Sequence, residues 1–278
     1  MNHRVAPPSE EPLGVTREDA VATLWLNRPA KRNAVTLAMW QGIARLVGEL
    51  ADDPSVRVLV VRGAGDHFCA GADIAQLAAL ADPARGAAYR EANRTAEDAL
   101  ATFPKPSVAV VQGFCIGGGC EIAVACDLRI VERGARFGIT PARLGIVYPA
   151  FAVERVVKLI GAAATKYLLY SAELVDAERA LRIGLVDEVH DPGGLEERVR
   201  AFSTTLAGLS LLTQRAAKEM VAAVVDHGAI DAELARTWER EAQAGPDVAE
   251  GIRAFTERER PRFTWTTRRE RSTRTRER

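Results

Sequence analysis

Apolar residues in the first half of the chain fall into short runs separated by polar and glycine-rich stretches. Residues 56–61 and 107–111 are rich in valine, which is typical of buried strands. The segment 37–50 instead carries apolar residues at helical spacing, and Thr36 is its expected N-cap. Because strand and helix signals alternate from 21 to about 131, the pattern predicts an α/β fold with a largely parallel sheet.

The second half of the chain has a different pattern. From Ala152 onward, apolar residues recur three and four positions apart, which indicates mostly helix. A short strand at 185–189 and a turn at 191–194 interrupt this pattern, and the last helix is expected at 247–258. We therefore predict four regions: a disordered lead-in (1–17), an α/β core (18–200), a helical region (201–263) and a disordered basic tail (264–278).

Composition and charge exclude several classes of protein. Among 278 residues, 37 acidic residues balance 37 basic ones, so the chain as a whole has no pull toward nucleic acid or anionic membranes. The chain has no apolar stretch of the ~18 residues that span a bilayer, and its start lacks a secretory signal, so we expect a cytoplasmic protein. The tail carries six arginines and two glutamates; we expect it to be solvated, with RNA contact as the alternative.

Two glycine-bearing loops, at 68–74 and 113–121, carry the candidate chemistry. Each follows a predicted strand, and the carboxyl ends of strands are where open α/β sheets bind ligands. Three consecutive glycines at 117–119 suit a helix start at which the backbone approaches a ligand closely. The helix expected at 121–126 would direct free N–H groups and its positive dipole end toward that ligand. The second loop therefore predicts a site for an anion or for developing negative charge.

These loops, together with other segments in the same order, resemble the crotonase superfamily, also called the enoyl-CoA hydratase/isomerase family. The resemblance runs from about residue 21 to 263. It implies a crotonase-like spiral of ββα turns with a C-terminal helical trimerisation region, hence a homotrimer or a dimer of trimers. The matching segments are Leu26-Asn27-Arg28-Pro29, Ala70-Gly71-Ala72-Asp73, Gly117-Gly118-Gly119-Cys120-Glu121, Cys126-Asp127-Leu128, Phe137-Gly138 and Gly184-Leu185-Val186.

The resemblance also implies a chemistry and a set of site residues. An acyl-CoA thioester carbonyl would accept hydrogen bonds from the backbone N–H groups of Ala72 and Gly118, an oxyanion hole that stabilises an enolate. No cofactor is expected beyond the coenzyme A that forms part of the substrate. The residues that the resemblance implies for coenzyme A binding are Arg28, Lys31, Ala70, Asp73 and Gly117. For Arg28 and Lys31 the alternative is that they form a solvated cationic turn.

Two positions decide which reaction the oxyanion hole serves. Glu121 matches one of the two catalytic glutamates of family hydratases, although a helix N-terminus favours a carboxylate in any case. The second glutamate falls on Pro141, which has no titratable group. Losing one positioned acid or base typically removes about 10²–10⁴ of rate. Hydratase or isomerase-like activity on a 2-enoyl-CoA is the family default, and this substitution leaves the exact reaction open.

The segment that contains Pro141 suggests an alternative. Residues 140–148 are similar to the Thr-Pro-x-x-Leu-Gly-x-x-Tyr segment of methylmalonyl-CoA decarboxylases in the same superfamily, so Tyr148 could supply or orient a proton. Those enzymes often have His where Ala72 stands, and Tyr148 could simply order its loop. Decarboxylation of a malonyl-type CoA is therefore the runner-up. A non-catalytic member that binds CoA or RNA is the alternative of another class.

The cysteines and one histidine near the loops raise the question of a metal site. Cysteines 69, 115, 120 and 126 all lie in or near the two loops, but they form no Cys-x-x-Cys pair and no histidine stands at zinc spacing. We therefore predict no metal site. His67 has no assigned role, and Leu77, Leu80 and Ala88 could line an acyl pocket or fill the core.

Overall fold

The structure is a computed structural model that describes residues 7, 9–77 and 82–266. Its larger sheet has the strand order β1-β2-β3-β4-β6-β9, in which β1 and β2 are antiparallel and all other neighbours are parallel. This confirms the predicted α/β class with a largely parallel sheet. The strands are β1 (Leu13–Glu18), β2 (Val21–Leu26), β3 (Val58–Gly63), β4 (Ser107–Val111), β5 (Phe114–Ile116), β6 (Leu128–Glu132), β7 (Arg136–Gly138), β8 (Val175–Asp176) and β9 (Glu188–His190).

Helices follow most of the strands and make up most of the chain after β7. Thr36 caps the first helix as predicted, because its hydroxyl accepts from Met39 N at 3.2 Å. The helices are α1 (Leu37–Asp52), α2 (Ile74–Leu77), α3 (Pro83–Ala101), α4 (Gly118–Ala125), α5 (Ala150–Ser171), α6 (Ala177–Arg182), α7 (Leu195–Gly208), α8 (Leu211–His227), α9 (Ala232–Ala244) and α10 (Asp247–Glu257). Short 3-10 turns lie at Pro29–Lys31 and Pro141–Arg143.

Strand β3 shows how the core is arranged on both faces of the sheet. All six of its residues are buried, and successive side chains of a strand point to opposite faces. Leu59 and Val61 belong to the main core, which includes α1 and α3, whereas Val60 packs with Leu195 and Val199 of α7. Burial on both faces explains why this strand is a continuous valine-rich run rather than an alternating one.

A smaller sheet, of strand order β5-β7-β8, supports the second glycine loop. Strands β5 and β7 are parallel, and Gly117, directly after β5, donates its N–H to the carbonyl oxygen of Gly138 at 2.9 Å. The start of α4 is thereby fixed to the end of β7. This places the segment after β7, which contains Pro141 and Tyr148, beside the second loop.

The structure differs from the expected regions at three boundaries. Residues 13–17, expected in a disordered lead-in, belong to β1, and the boundary at 200 falls inside α7. Asp247 Oδ1 accepts from the backbone N–H groups of Thr264 and Trp265 at 3.2 and 3.1 Å, so the start of the expected tail is packed. Residues 267–278 of that tail lie outside the described residues. Among the helices of the described residues, none is long and apolar enough to cross a membrane.

Candidate functional site

The two glycine loops lie side by side because their backbones pair. Cys69 N donates to the carbonyl of Phe114 at 2.8 Å, and the carbonyl of Cys69 accepts from Ile116 N at 2.9 Å. These bonds form an isolated parallel bridge between Cys69 and Cys115 of β5, which holds the two loops together. The sequence predicted both loops at strand ends, and the structure brings them into contact there.

The amides of Ala72 and Gly118 are both left unused by this pairing. Val35 donates to the Gly71 carbonyl at 2.8 Å and accepts from Asp73 N at 2.9 Å, so the Ala72 N–H between them points away from Val35. Gly118 is the first residue of α4, where an N–H has no partner within the helix. Within the described part of the chain, neither amide donates a hydrogen bond.

Both free amides and the Glu121 carboxyl lie close to one point, the position that a β-carbon at Gly118 would take. A β-carbon at Gly118 would lie 3.7 Å from the Ala72 nitrogen, 3.6 Å from Glu121 Oε2 and 3.2 Å from Trp40 Cζ2. The point therefore has an amide on either side, a carboxyl group opposite and an indole ring as a wall. Such an arrangement can stabilise negative charge on an oxygen and move a proton close to it.

Glycine is required where the loops touch. Gly117 has a φ of +53°, which side-chain-bearing residues rarely adopt. A β-carbon at Gly119 would stand only 2.5 Å from the carbonyl oxygen of Cys69. The glycine run predicted from the sequence thus has two roles: Gly117 and Gly119 permit the turn and the contact, and Gly118 leaves the space beside Trp40, Ala72 and Glu121 free of a β-carbon.

Glu121 lies on the first turn of α4, with its side chain buried. Asn93 Nδ2 donates to Glu121 Oε2 at 2.9 Å, and Tyr148 and Glu97 also lie within hydrogen-bonding reach of this carboxyl. Burial raises the pKa of Glu121 above the ordinary glutamate value, even though these hydrogen bonds favour the ionised form. A raised pKa suits a group that takes and returns a proton near neutral pH.

Asn93, Glu97 and Arg155 extend from Glu121 into the core, and the sequence analysis missed all three. Asn93 also donates to Glu97 Oε1 at 3.2 Å, and Arg155 donates to Glu97 Oε2 at 3.0 Å. Asn93 and Glu97 lie one helical turn apart on the buried face of α3, beside Ala92 and Ala96. The available signal was a pair of polar residues, four apart, in register with the apolar face of a helix.

Tyr148 and Pro141 lie on the segment after β7. The Tyr148 hydroxyl donates to the Gly117 carbonyl at 3.2 Å, which places it at the rim of the site. Burial raises the Tyr148 pKa well above its usual value, so the phenol stays a neutral donor. Pro141 begins a 3-10 turn, and Val147, close to Tyr148, is 92% exposed. This wall of the site is therefore far less buried than the one that carries Glu121.

Comparison with known proteins identifies the family of this chain. The family model described as enoyl-CoA hydratase/isomerase matches residues 16–266. The chain belongs to this family. It is similar to a crotonyl-CoA hydratase from Syntrophomonas wolfei, with 34% identity over 261 residues that cover 91% of this chain and 98% of the relative. A 2,3-dehydroadipyl-CoA hydratase from Escherichia coli K12 is 32% identical over 255 residues, covering 90% and 98% of the two chains.

Solved structures confirm the fold that the resemblance implied for this enoyl-CoA hydratase/isomerase family member. A crystal structure of an enoyl-CoA hydratase/carnithine racemase from Magnetospirillum magneticum superposes with a TM-score of 0.88 at 31% identity. The match covers 92% of this chain and 96% of that one. Similarity over nearly the whole length includes the C-terminal helices, so the prediction of an α/β spiral followed by a helical region is confirmed.

The residues that the resemblance assigned to coenzyme A binding form two groups in this family member. The guanidinium of Arg28 donates to Asp73 Oδ2 at 2.8 Å and to the Ala34 carbonyl at 2.6 Å, and this ion pair holds the pKa of Asp73 below its usual value. Arg28 and Asp73 therefore brace the first loop. Lys31 is exposed, and its ammonium group donates no hydrogen bond to the described residues, so its charge is available. Ala70 is half-buried on the same loop.

The four cysteines and His67 serve packing. All four thiols are free and buried, and burial raises the pKa of Cys69 to about 12. Among the residues that the structure describes, no three histidine, cysteine or acidic side chains group as metal ligands would. The His67 ring stacks on Phe114 with 4.8 Å between centroids, and its Nδ1 accepts from Phe114 N at 3.3 Å. His67 thus supports the second loop from outside the cavity.

Proposed function

We propose that this family member is an enoyl-CoA hydratase/isomerase-like lyase that acts on an acyl-CoA thioester through an enolate. The thioester oxygen would accept from the N–H groups of Ala72 and Gly118, each worth about 10²–10³ in rate. One observation carries the proposal: two unused amides and the Glu121 carboxyl lie within a few ångströms of the same point. The relatives named crotonyl-CoA hydratase and 2,3-dehydroadipyl-CoA hydratase support a 2-enoyl-CoA substrate.

Glu121 is the group that moves protons in this proposal. In hydration it removes a proton from water as the water oxygen bonds to carbon 3, and the displaced electron pair moves onto the thioester oxygen. The enolate then takes a proton at carbon 2 from the protonated Glu121. In double-bond migration the same carboxylate removes a proton from one carbon and returns it to another. Its raised pKa lowers the cost of holding the proton between the two halves of this cycle.

We assign binding of the coenzyme A moiety to residues in and near the first loop. Lys31 is exposed and unpaired by hydrogen bonds among the described residues, and it stands beside the Arg28–Asp73 ion pair. We assign to Lys31 the contact with the CoA phosphates, and to Arg28, Asp73, Ala70 and Gly117 the shape of the channel. The acyl end would extend toward the start of α3; Leu80, which could line it, lies outside the described residues.

The C-terminal helices support a homotrimer or a dimer of trimers as part of this proposal. Val221, Val224, Ile252 and Phe255 lie on α8 and α10 and are exposed in the single chain, Phe255 by 88%. Exposed apolar side chains of this kind mark interaction surfaces. Light scattering on the purified protein should give three or six times the chain mass, and a monomer would contradict the assignment.

Four free buried thiols suit a reducing compartment, so the proposal includes a cytoplasmic location.

The experiment that tests this function compares wild type and Glu121→Gln with crotonyl-CoA. Loss of the enoyl absorbance should report hydration by wild type, and the variant should lose about 10²–10⁴ of that rate because a glutamine cannot accept the proton. Glu49→Gln is the matched control, since Glu49 is an exposed glutamate on α1 paired with Arg45. Equal rates for Glu121→Gln and wild type would exclude Glu121 as the acid/base group.

One observation favours decarboxylation of a malonyl-type CoA as the second candidate. The Tyr148 hydroxyl is a neutral donor within reach of Glu121, and the second hydratase carboxylate is absent at Pro141. Loss of CO₂ needs the oxyanion hole and a carboxylate stripped of water, but no activated water. Methylmalonyl-CoA should release CO₂ if this candidate is correct, and Tyr148→Phe should slow that release. Efficient Glu121-dependent hydration of crotonyl-CoA without CO₂ release would exclude it.

A further inference from the structure

A second buried carboxyl group stands directly behind Glu121. Glu97 on α3 is fully buried, and its carboxyl lies within hydrogen-bonding reach of Glu121. The Asn93 amide group bridges the two, since Nδ2 is 2.9 Å from Glu121 Oε2 and 3.2 Å from Glu97 Oε1. The family's second glutamate position, Pro141, is on a different element, so this carboxyl pair is built differently from the one that the hydratase pattern implies.

The charges around the pair do not balance when both carboxyls are ionised. Arg155 is the cation that contacts the pair, and it is shared: it donates to Glu97 Oε2 at 3.0 Å and to Asp98 Oδ1 at 2.6 Å. Asp98 is half-exposed and partly solvated, whereas Glu97 and Glu121 are buried. Two adjacent buried carboxylates with half of one guanidinium repel each other strongly, and retaining one proton relieves this repulsion.

We propose that Glu97 is a positioning residue for Glu121: the two carboxyls hold a single proton, and protonated Glu97 donates a hydrogen bond that keeps Glu121 ionised and aimed at the cavity. The inference rests on the proposed function, in which Glu121 is the acid/base group. Glu97 touches no substrate. Glu97 supplies a second carboxyl group from α3, whereas the family's second glutamate position, Pro141, has none.

Three other groups near the pair titrate well above the range of a carboxyl group. Burial raises the pKa of Tyr89 to about 12, that of Cys69 to about 12 and that of Tyr148 well above its usual value, so these groups are neutral where carboxyls titrate. Asp98 reaches the pair only through Arg155. The groups that pack around the pair, taken from every neighbouring element, are Cys69 (first loop), Tyr89 and Asn93 (α3), Cys120 (α4), Tyr148 (before α5) and Arg155 (α5).

The pH dependence of kcat for crotonyl-CoA tests the proposal. In wild type the rate should rise as the pair loses its first proton and fall as it loses the second, because the hydrogen bond from Glu97 is then replaced by repulsion. In Glu97→Gln the amide donates permanently, so the alkaline fall should disappear while the neutral rate stays within about tenfold of wild type. Glu97→Leu removes the donor, and kcat should fall by about 10²-fold with KM unchanged.

Asp98→Asn is the matched control, because it removes the other carboxylate partner of Arg155 without touching Glu121. Its alkaline fall should persist but move to lower pH, because Arg155 then pairs with Glu97 alone and favours its ionised form. An alkaline fall that persists unchanged in Glu97→Gln would overturn the proposal. That result would leave the proposed function standing, since the latter depends on Glu121→Gln alone.

A measurement without substrate keeps the proposal testable if crotonyl-CoA is not turned over. Carbon-13 NMR of protein labelled at the glutamate carboxyls should show two coupled titration steps for the pair, and Glu121→Gln should replace them with a single step of Glu97. Glu97→Gln should leave a single step for Glu121, at lower pH than the upper step of wild type, because a neighbouring negative charge is gone. Independent titration of Glu97 and Glu121 in wild type would show that they share no proton.

Discussion

The two walls of the candidate site are built in opposite ways. One wall consists of the two glycine loops, buried and paired backbone to backbone, with Gly119 against Cys69 too closely for any side chain. The other wall is the segment 139–149, a 3-10 turn and a largely exposed stretch that follows β7 and contacts the first wall through Tyr148. In the proposed function, the first wall stabilises the enolate. The second wall is then the one in which a substitution can change the reaction with little effect on the fold.

The largest expected effect on turnover comes from Gly118→Ala, which adds a methyl group to the first wall. In Gly118→Ala the new methyl group would occupy the space between the Ala72 nitrogen and Glu121 Oε2 that the thioester oxygen is proposed to use. Turnover should fall by about 10²–10³. The thermal midpoint should fall modestly, because the methyl group would also meet the buried Trp40 Cζ2 at 3.2 Å. Activity assays and thermal denaturation of the same preparation check both parts. Retained turnover would show that the substrate carbonyl does not enter this space.

Substitution of the neighbouring Gly119 should mainly lower stability. In Gly119→Ala the methyl group would meet the Cys69 carbonyl at 2.5 Å and the Cys69 β-carbon at 2.9 Å, so the two loops must separate. Overpacking of this kind costs about 1–3 kcal/mol of unfolding free energy, which denaturant titration measures.

Gly48→Ala is the control for Gly119→Ala. Gly48 lies on the exposed side of α1, where a β-carbon would have no neighbour within 4 Å. That variant should be more stable than wild type by up to about 1 kcal/mol, since alanine favours helix. If Gly119→Ala also proved neutral, the first wall would be looser than the distances imply.

The sequence predicted the first wall well and the second carboxyl pair not at all. Strand runs followed by glycines are local patterns that placed both loops at strand ends, and the resemblance to the family then singled out Ala72, Gly118 and Glu121 in them. Glu97 and Asn93 approach Glu121 only because α3 packs beside α4, and that contact has no local signal in the chain. Likewise β1 was missed because Leu13–Glu18 is a mixed polar strand whose pairing with β2 is a tertiary event.

A substitution in the second wall should change the catalytic activity. Pro141→Glu places a carboxyl at the position where family hydratases have one, and hydration of crotonyl-CoA should rise about tenfold if it reaches the substrate, a fraction of what a well-aimed group contributes. The backbone carbonyl that accepts from Leu144 and Ile146 is kept. Pro141→Ala controls for the loss of the proline, which itself costs about 0.4–1 kcal/mol. An equal rise in both variants would assign the effect to loop mobility.

The smallest expected effect concerns the ion pair that braces the first wall from outside. Asp73→Asn removes the partner of Arg28, whose guanidinium lowers the Asp73 pKa. Because the folded state favours ionised Asp73, its contribution is complete above the unfolded pKa of about 3.9 and is lost as pH falls through the lower folded value. The variant should therefore be less stable than wild type at neutral pH, by about 1 kcal/mol or less, and should approach wild type in acid. Thermal midpoints across pH measure this, with Glu49→Gln, an exposed helical pair, as a control expected near zero at every pH. A deficit that persisted unchanged in acid would mean that Asp73 acts through its backbone turn rather than its charge.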